Sequence, residues 1–214
     1  MLFAKNIQKK FRDPVLKNIS IKVNNGEIIG IAGENGSGKS TLLSILAGLM
    51  KPDEGEIQIE GKIGYVPQEA SLFDELSVRD NLRFWASAYG VKNMSPDPFT
   101  SGIFEDQDLL SKKTGSLSGG MKKRVSIALA SLHTPDCLIM DEPTAALDIG
   151  FKGILAQMVK YMSQANRSVI FTSHQPDELM WCDRIYILRS GVFVYVGSPQ
   201  EIPDLSDILY GDRS

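Results

Sequence analysis

The chain has 214 residues, 43% of them hydrophobic, with a formal net charge of −3 and two cysteines. That length and apolar content suffice for one domain with a full core and a small subdomain. The mild acidity argues against a dedicated nucleic-acid binder, which needs a basic surface to meet phosphate, so no nucleic-acid partner is expected. In chain order, Met1 to Lys10 is too polar for a signal peptide. No apolar run along the chain approaches the roughly 20 residues of a membrane helix, so a role at a membrane requires another chain to supply the span. Phe3–Ile7, Ile19–Val23 and Glu56–Glu60 alternate apolar with polar residues and predict strands with one wet face. Asn24-Asn25-Gly26 and Lys51-Pro52-Asp53-Glu54-Gly55 are turn signals.

Glu27 to Ala32 predicts a short buried strand, and Ser40 to Leu49 a helix with Gly48 near its end. Between them, Gly33-Glu34-Asn35-Gly36-Ser37-Gly38-Lys39-Ser40-Thr41 fits G-x-x-x-x-G-K-[ST]. Strand, glycine-rich turn and helix N-terminus together form a phosphate cradle. Glycines let backbone N–H groups point inward, and the helix dipole favours an anion there. Lys39 reaches the β- and γ-phosphates of a bound nucleoside triphosphate, and the Ser40 hydroxyl binds Mg²⁺.

Residues 71–117 change character and read as helical. Ser77 opens a capping box with Asp80, and Val78, Leu82, Trp85 and Tyr89 share a face before Gly90 stops the helix. Trp85 and Tyr89 read as subdomain core with an edge open to a partner's loop. Asn93 to Gly102, with Pro96 and Pro98, reads as a loop. Leu117-Ser118-Gly119-Gly120-Met121 precedes a helix whose apolar stripe is Met121, Val125, Leu129 and Leu132, and Lys122, Lys123 and Arg124 read as that helix's wet face. Ser118, Gly119 and Gly120 make a second anion-binding helix start. Two such starts in one small domain point to a surface that contacts the γ-phosphate held by another subunit. His133, at the helix end, reads as structural.

Cys137 to Met140 predicts an apolar strand ending in Asp141 and Glu142 and stopped by Pro143. A carboxylate at the end of a strand beside a phosphate cradle holds Mg²⁺, a role that suits Asp141. Glu142, alternating to the opposite side, faces the attacking water as general base. Val169 to Ser173 reads as a buried strand, and Arg184 to Gly197 as a hairpin turning at Ser190-Gly191. Cys137, inside the strand, and Cys182, after a helix, lie in no metal-ligand spacing, which suits a reduced, cytosolic setting.

The ordered set of GENGSGKST at 33–41, Gln68 after Tyr65-Val66-Pro67, LSGGM at 117–121, CLIMDEP at 137–143, Ala146-Leu147-Asp148, and His174 after Phe171-Thr172-Ser173 resembles the ATP-binding subunit of an ATP-binding cassette (ABC) transporter over nearly the whole length. The resemblance implies roles that spacing alone leaves open. Gln68 senses Mg²⁺ and the attacking water and links the site to a membrane partner. His174 is the switch residue at the γ-phosphate, Asp148 passes state information across a dimer, and Phe11 stacks on adenine. From the residues alone, His174 also reads as a capped turn histidine and Phe11 as ordinary core packing. Met121 stands where glutamine is more usual in the family. With LSVRDNLRFWASAYG at 76–90, it resembles the drug- and antibiotic-export branch.

The expected fold is α/β: a P-loop NTPase core with an N-terminal antiparallel β layer and an inserted helical subdomain. Residues 1–70 and 125–214 form the core and layer, and 71–124 the helical signature subdomain, with no accessory domain after it. The expected function is Mg²⁺-dependent ATP hydrolysis that energises solute movement, export favoured, through a separate membrane-spanning permease. The chain would work as a head-to-tail dimer of cassettes on the inner face of the cell membrane. The rival readings are a soluble cassette ATPase acting on DNA or ribosomes, and a non-hydrolysing ATP-binding regulator.

Overall fold

Nine strands are divided between two sheets. They are β1 (Leu2–Lys10), β2 (Pro14–Val23), β3 (Ile28–Ala32), β4 (Glu54–Ile59), β5 (Ile63–Val66), β6 (Cys137–Met140), β7 (Ser168–Thr172), β8 (Arg184–Arg189) and β9 (Val192–Gly197). The computed structural model describes residues 1–92 and 98–201, with the backbone alone at residue 104; these counts of elements refer to the described residues. Residues 93–97, including Asn93 and Pro96 of the expected loop, and residues 202–214 lie outside them. The first sheet is antiparallel, ordered β2-β1-β4. The second has the order β5-β6-β7-β3-β8-β9 and is parallel except for the β8–β9 hairpin.

Strand alternation decides which side chains meet. Leu138, Met140, Val169, Phe171, Ile185 and Ile187 enter one apolar cluster of the larger sheet, while Ile139, Ile170, Tyr186 and Leu188 enter the other. Seven helices complete the described fold: α1 (Lys39–Leu46), α2 (Val78–Ala88), α3 (Ser101–Glu105), α4 (Gln107–Ser111), α5 (Gly119–Ser131), α6 (Ile149–Gln164) and α7 (Pro176–Leu179). Helix α1 ends at Leu46 rather than Leu49 and is clamped between the sheets. Leu42, Leu43, Ile45 and Leu46 are fully buried in one cluster with Leu2, Ile7, Leu16 and Ile19 of the antiparallel layer. Each such burial contributes about 1.5–3 kcal/mol, so the cradle rests on one of the best-anchored helices. On the opposite face, Leu155, Met158, Val159 and Met162 of α6 pack with β6 and β7.

A third cluster joins Val78, Leu82 and Ala86 of α2, Leu110 of α4, Val125, Ala128 and Leu129 of α5, and Leu132 at the C-cap of α5. Ile127 and Ala130 on the other side of α5 belong to the core of the larger sheet, so α5 bridges the two clusters. The Ser77 side chain caps α2, accepting from the Asp80 amide at 3.1 Å and donating to the Asp80 carboxylate at 2.6 Å. The loop expected through Gly102 is instead helical from Ser101, because Ile103 buries itself in the third cluster and overrides the glycine beside it. His133 is structural: its Nε2 lies 3.1 Å from the Ile63 carbonyl and its ring stacks on Tyr89 at 4.2 Å. Burial pushes the Cys137 thiol up to about 12, and likewise raises that of Cys182, so both stay protonated.

Candidate functional site

The cradle begins where β3 ends. Gly38 is the N-cap of α1 with φ +107°, a backbone state that a glycine adopts without strain, and no side chain caps the helix. The amides of the first turn therefore face outward for an anion. In the loop before it, Ser37 Oγ is buried with no hydrogen-bond partner among the described residues, an orphaned polar group that a bound phosphate would satisfy. The Lys39 ammonium donates to the carbonyls of Gly33 at 2.8 Å and Glu34 at 3.0 Å. Burial lowers its pKa, and the carboxylates of Glu142 and Asp141 partly restore it.

A cavity of about 640 Å³ opens over this loop, lined by Val15, Gly33, Glu34, Asn35, Gly36, Gly38, Lys39, Ser40, Thr41, Gln68, Glu142 and His174. Five segments distant in sequence thus meet on one polar cleft at the C-terminal end of a parallel sheet, where open α/β folds bind ligands. Asp141, 2% exposed, lies behind it and accepts a 2.6 Å hydrogen bond from the Thr172 hydroxyl. The same Thr172 oxygen accepts the Glu142 amide at 2.8 Å. Glu142 reaches the cleft by a different route from the one its alternation predicts. Strand β6 ends at Met140, and Glu142 takes φ +45°, so a left-handed turn aims it rather than the pleat. Its Oε2 accepts from Gln68 Nε2 at 3.3 Å.

Phe11 is 61% exposed and is not among the residues lining the cleft, whereas Val15 is. The core-packing alternative for Phe11 is therefore excluded. Ser118, Gly119 and Gly120 also lie outside the cleft of their own chain. Ser118 Oγ accepts the Met121 amide at 3.3 Å, which uses a lone pair and leaves the hydroxyl proton to donate. A Cβ on Gly120 would stand 2.6 Å from the Ala146 carbonyl, so close packing against that segment explains this glycine. Asp148 caps α6, accepting from Phe151 N at 2.9 Å, and pairs with Arg124. The Phe151 amide first, and Arg124 with it, holds the Asp148 carboxyl below the usual carboxylate range.

The basic run after the signature is not a wet face throughout. Lys122 pairs with Asp74 at 2.8 Å, and Arg124 covers the Phe151 ring at 4.4 Å, but Lys123 is 4% exposed and points inward. Sequence reasoning also missed Glu178. This buried carboxylate accepts from Thr144 at 2.7 Å, Ser173 at 2.6 Å and Lys152 at 3.2 Å. It ties the segment after Glu142 to the one before His174. Its only sequence signal is an acid four residues after the histidine.

Residues 16–145 match the family model described as ABC transporter. The chain belongs to the ABC transporter family. The cassette is 36% identical over 229 aligned residues to the linearmycin resistance ATP-binding protein LnrL of Bacillus subtilis, covering 99% of this chain and 73% of that protein. It is 31% identical over 215 residues to the Nod factor export ATP-binding protein I of Burkholderia lata, covering 92% and 71%. Among solved structures it superposes on a dimeric ATP-binding cassette in a post-hydrolysis state bound to ADP and Pi. That match has a TM-score of 0.83 at 25% identity, over 94% of this chain and 100% of the other. The fold is the ABC ATPase fold, and the protein is an ATP-binding, ATP-hydrolysing motor subunit of a transporter.

Proposed function

We propose that this cassette works as one of a head-to-tail pair attached to a separate membrane-spanning permease on the inner face of the cell membrane, energising export. The observation that carries the reading is Gln68. It touches Glu142 inside the cleft, and the chain then leads directly into an exposed aromatic patch. Phe73, Leu76, Phe84 and Tyr89 are each more than a third exposed. Phe73, Phe84, Trp85 and Tyr89 form a chain of ring contacts 4.8 to 6.4 Å apart. A contiguous apolar patch of this kind marks an interaction site, and its start shortly after Gln68 in the chain would let a docked cytoplasmic segment of the permease feel the state of the nucleotide. Among the described residues no helix is long and apolar enough to cross a membrane, which agrees with a separate permease. Export rests on the relatives, one named for resistance and one for export.

In this reading Lys39 exchanges its two loop carbonyls for the β- and γ-phosphates, Glu142 takes the proton of the attacking water, and His174 orients the γ-phosphate. Catalysis is mostly positioning and electrostatic stabilisation. The buried Asp141 carboxylate, the Ser40 hydroxyl and the Gln68 amide are oxygen donors that fit Mg²⁺, which prefers one or two carboxylates together with substrate phosphates. When bound, that ion would neutralise charge on the phosphates. The Ser118–Gly120 helix start of the partner cassette would close each site, and the helical unit of residues 71–124 would carry that motion to the permease.

The test is co-expression with a polytopic membrane protein from the neighbouring reading frames. Phe84→Glu should abolish co-purification with the membrane protein while the isolated cassette keeps its ATPase rate within about twofold, as expected of an exposed side chain outside the cleft. Unchanged co-purification would remove the patch from the interface. ATP-driven loss of solute from inverted vesicles, instead of uptake, would reverse the proposed direction.

A further inference from the structure

Lys123 lies in the second turn of α5, three residues past Gly120 of the signature helix start. It is 4% exposed, and its ammonium donates to three main-chain carbonyls: Gln68 at 2.7 Å, Pro67 at 2.9 Å and Asp141 at 3.4 Å. A lysine ammonium has three donors and accepts nothing, so these carbonyls match its whole capacity. A buried cation survives only where such bonds and nearby opposite charge offset its desolvation. Burial lowers the Lys123 pKa, while Asp141 and then Glu142 pull it back. Its neighbours on the same turn of helix behave differently, reaching surface carboxylates.

The three carbonyls belong to two strand ends. Parallel pairing of β5 with β6 runs to Val66 and Met140, followed by one further bond from the Asp141 amide to the Val66 carbonyl at 2.8 Å. Pro67 and Gln68 continue past that ladder, and their carbonyls turn to Lys123. The helix that carries Lys123 also carries Ser118, Gly119 and Gly120 at its N-terminus and spans the third cluster and the sheet core.

We propose that Lys123 is a positioning residue. Its ammonium clamps the Gln68 segment onto the end of β6, so that movement of the signature helix reaches the Gln68 side chain beside Glu142. One end of α5 then faces the partner's nucleotide while its second turn sets the geometry of its own chain's cleft. The inference rests on the assignment of Gln68 and Glu142 to hydrolysis.

The experiment compares ATP hydrolysis and equilibrium ATP affinity of the full chain in Lys123→Met, Lys123→Ala, Lys123→Arg, Gln68→Ala and the double variant Gln68→Ala/Lys123→Met. Methionine keeps the apolar stem and removes the cation. Because misplacing a catalytic group costs on the order of 10–100-fold, Lys123→Met should lower kcat by about that factor with ATP affinity within about twofold, and Lys123→Arg should recover part of the loss. If Lys123 acts through Gln68, the double variant should fall no further than Gln68→Ala alone. Parental kcat in Lys123→Met beside an impaired Gln68→Ala overturns the clamp and leaves Gln68 in place. Parental kcat in Gln68→Ala overturns the site assignment and the clamp with it. Losses that multiply in the double variant place Lys123 outside the Gln68 route. Loss of folding or of ATP affinity in both Lys123→Met and Lys123→Ala makes the residue structural, and likewise rejects the proposal.

Discussion

Lys39 places a buried cation in the wall of the cleft. Its ammonium already sits on the loop that lines the cavity, held by the carbonyls of Gly33 and Glu34 and close enough to Glu142 and Asp141 to feel both. Lys39→Ala should therefore abolish hydrolysis and weaken ATP binding. A variant with parental turnover would remove the residue from the mechanism. The pH behaviour has a definite sign: the cation is lost as pH rises, and burial lowers its pKa, so ATP affinity of the free enzyme should fall at a lower pH than for an exposed lysine near 10.4. Phe11 offers a second test at this scale. The ring is 61% exposed, so its loss should leave folding intact. If it stacks on adenine, Phe11→Ala should weaken ATP binding by about 1–3 kcal/mol, in line with base–aromatic stacking, while Phe11→Tyr is tolerated. Unchanged affinity by calorimetry would give the adenine contact to the cleft wall at Val15 instead.

Helices and strands set which of these residues were legible. The cradle could be read because its signals are local: a glycine-rich turn between a buried strand and a helix occupies nine consecutive residues. The cap of α2 is equally local, a single Ser77 oxygen meeting the Asp80 amide. Ser77→Ala should cost about 1 kcal/mol, seen as a melting temperature lower by roughly 2–4 °C. An unchanged melting point would show the cap to be dispensable. Lys123 was illegible for the opposite reason. Two basic neighbours and a polar helix face suggest solvent, and only tertiary packing brings the carbonyls of Gln68 and Asp141 over that turn. Glu178 is similar, because its partners Thr144 and Lys152 come from other segments. Glu142 was found by its place after a strand yet aimed by a turn, since alternation stops where β6 ends. The five-residue helix at Ser101 was hidden by Gly102, whose low propensity yields to burial of Ile103.

At the scale of the whole molecule, the layered fold forms a polar cleft over the glycine-rich loop and leaves the Ser118–Gly120 helix start outside its lining. Ser118 and Gly119 are exposed, cap geometry leaves the serine proton available, and neither residue lines the cleft of its own chain. Two copies arranged head to tail, as proposed, would account for both features at once, because each copy's signature would then cover the other's cradle. In the proposed cycle, ATP closes two cassettes and Glu142 chemistry reopens them. The most direct measurement is size-exclusion chromatography of Glu142→Gln with and without MgATP. Glutamine keeps the size and hydrogen bonding of the side chain but removes the base, so hydrolysis should fall by about 10²–10⁴-fold while ATP still binds. The expected result is a monomer without nucleotide and a stable dimer with MgATP, which the additional substitution Ser118→Arg disperses without loss of ATP binding. A Glu142→Gln protein that turns over ATP at the parental rate, or that binds MgATP and remains a monomer, would contradict it.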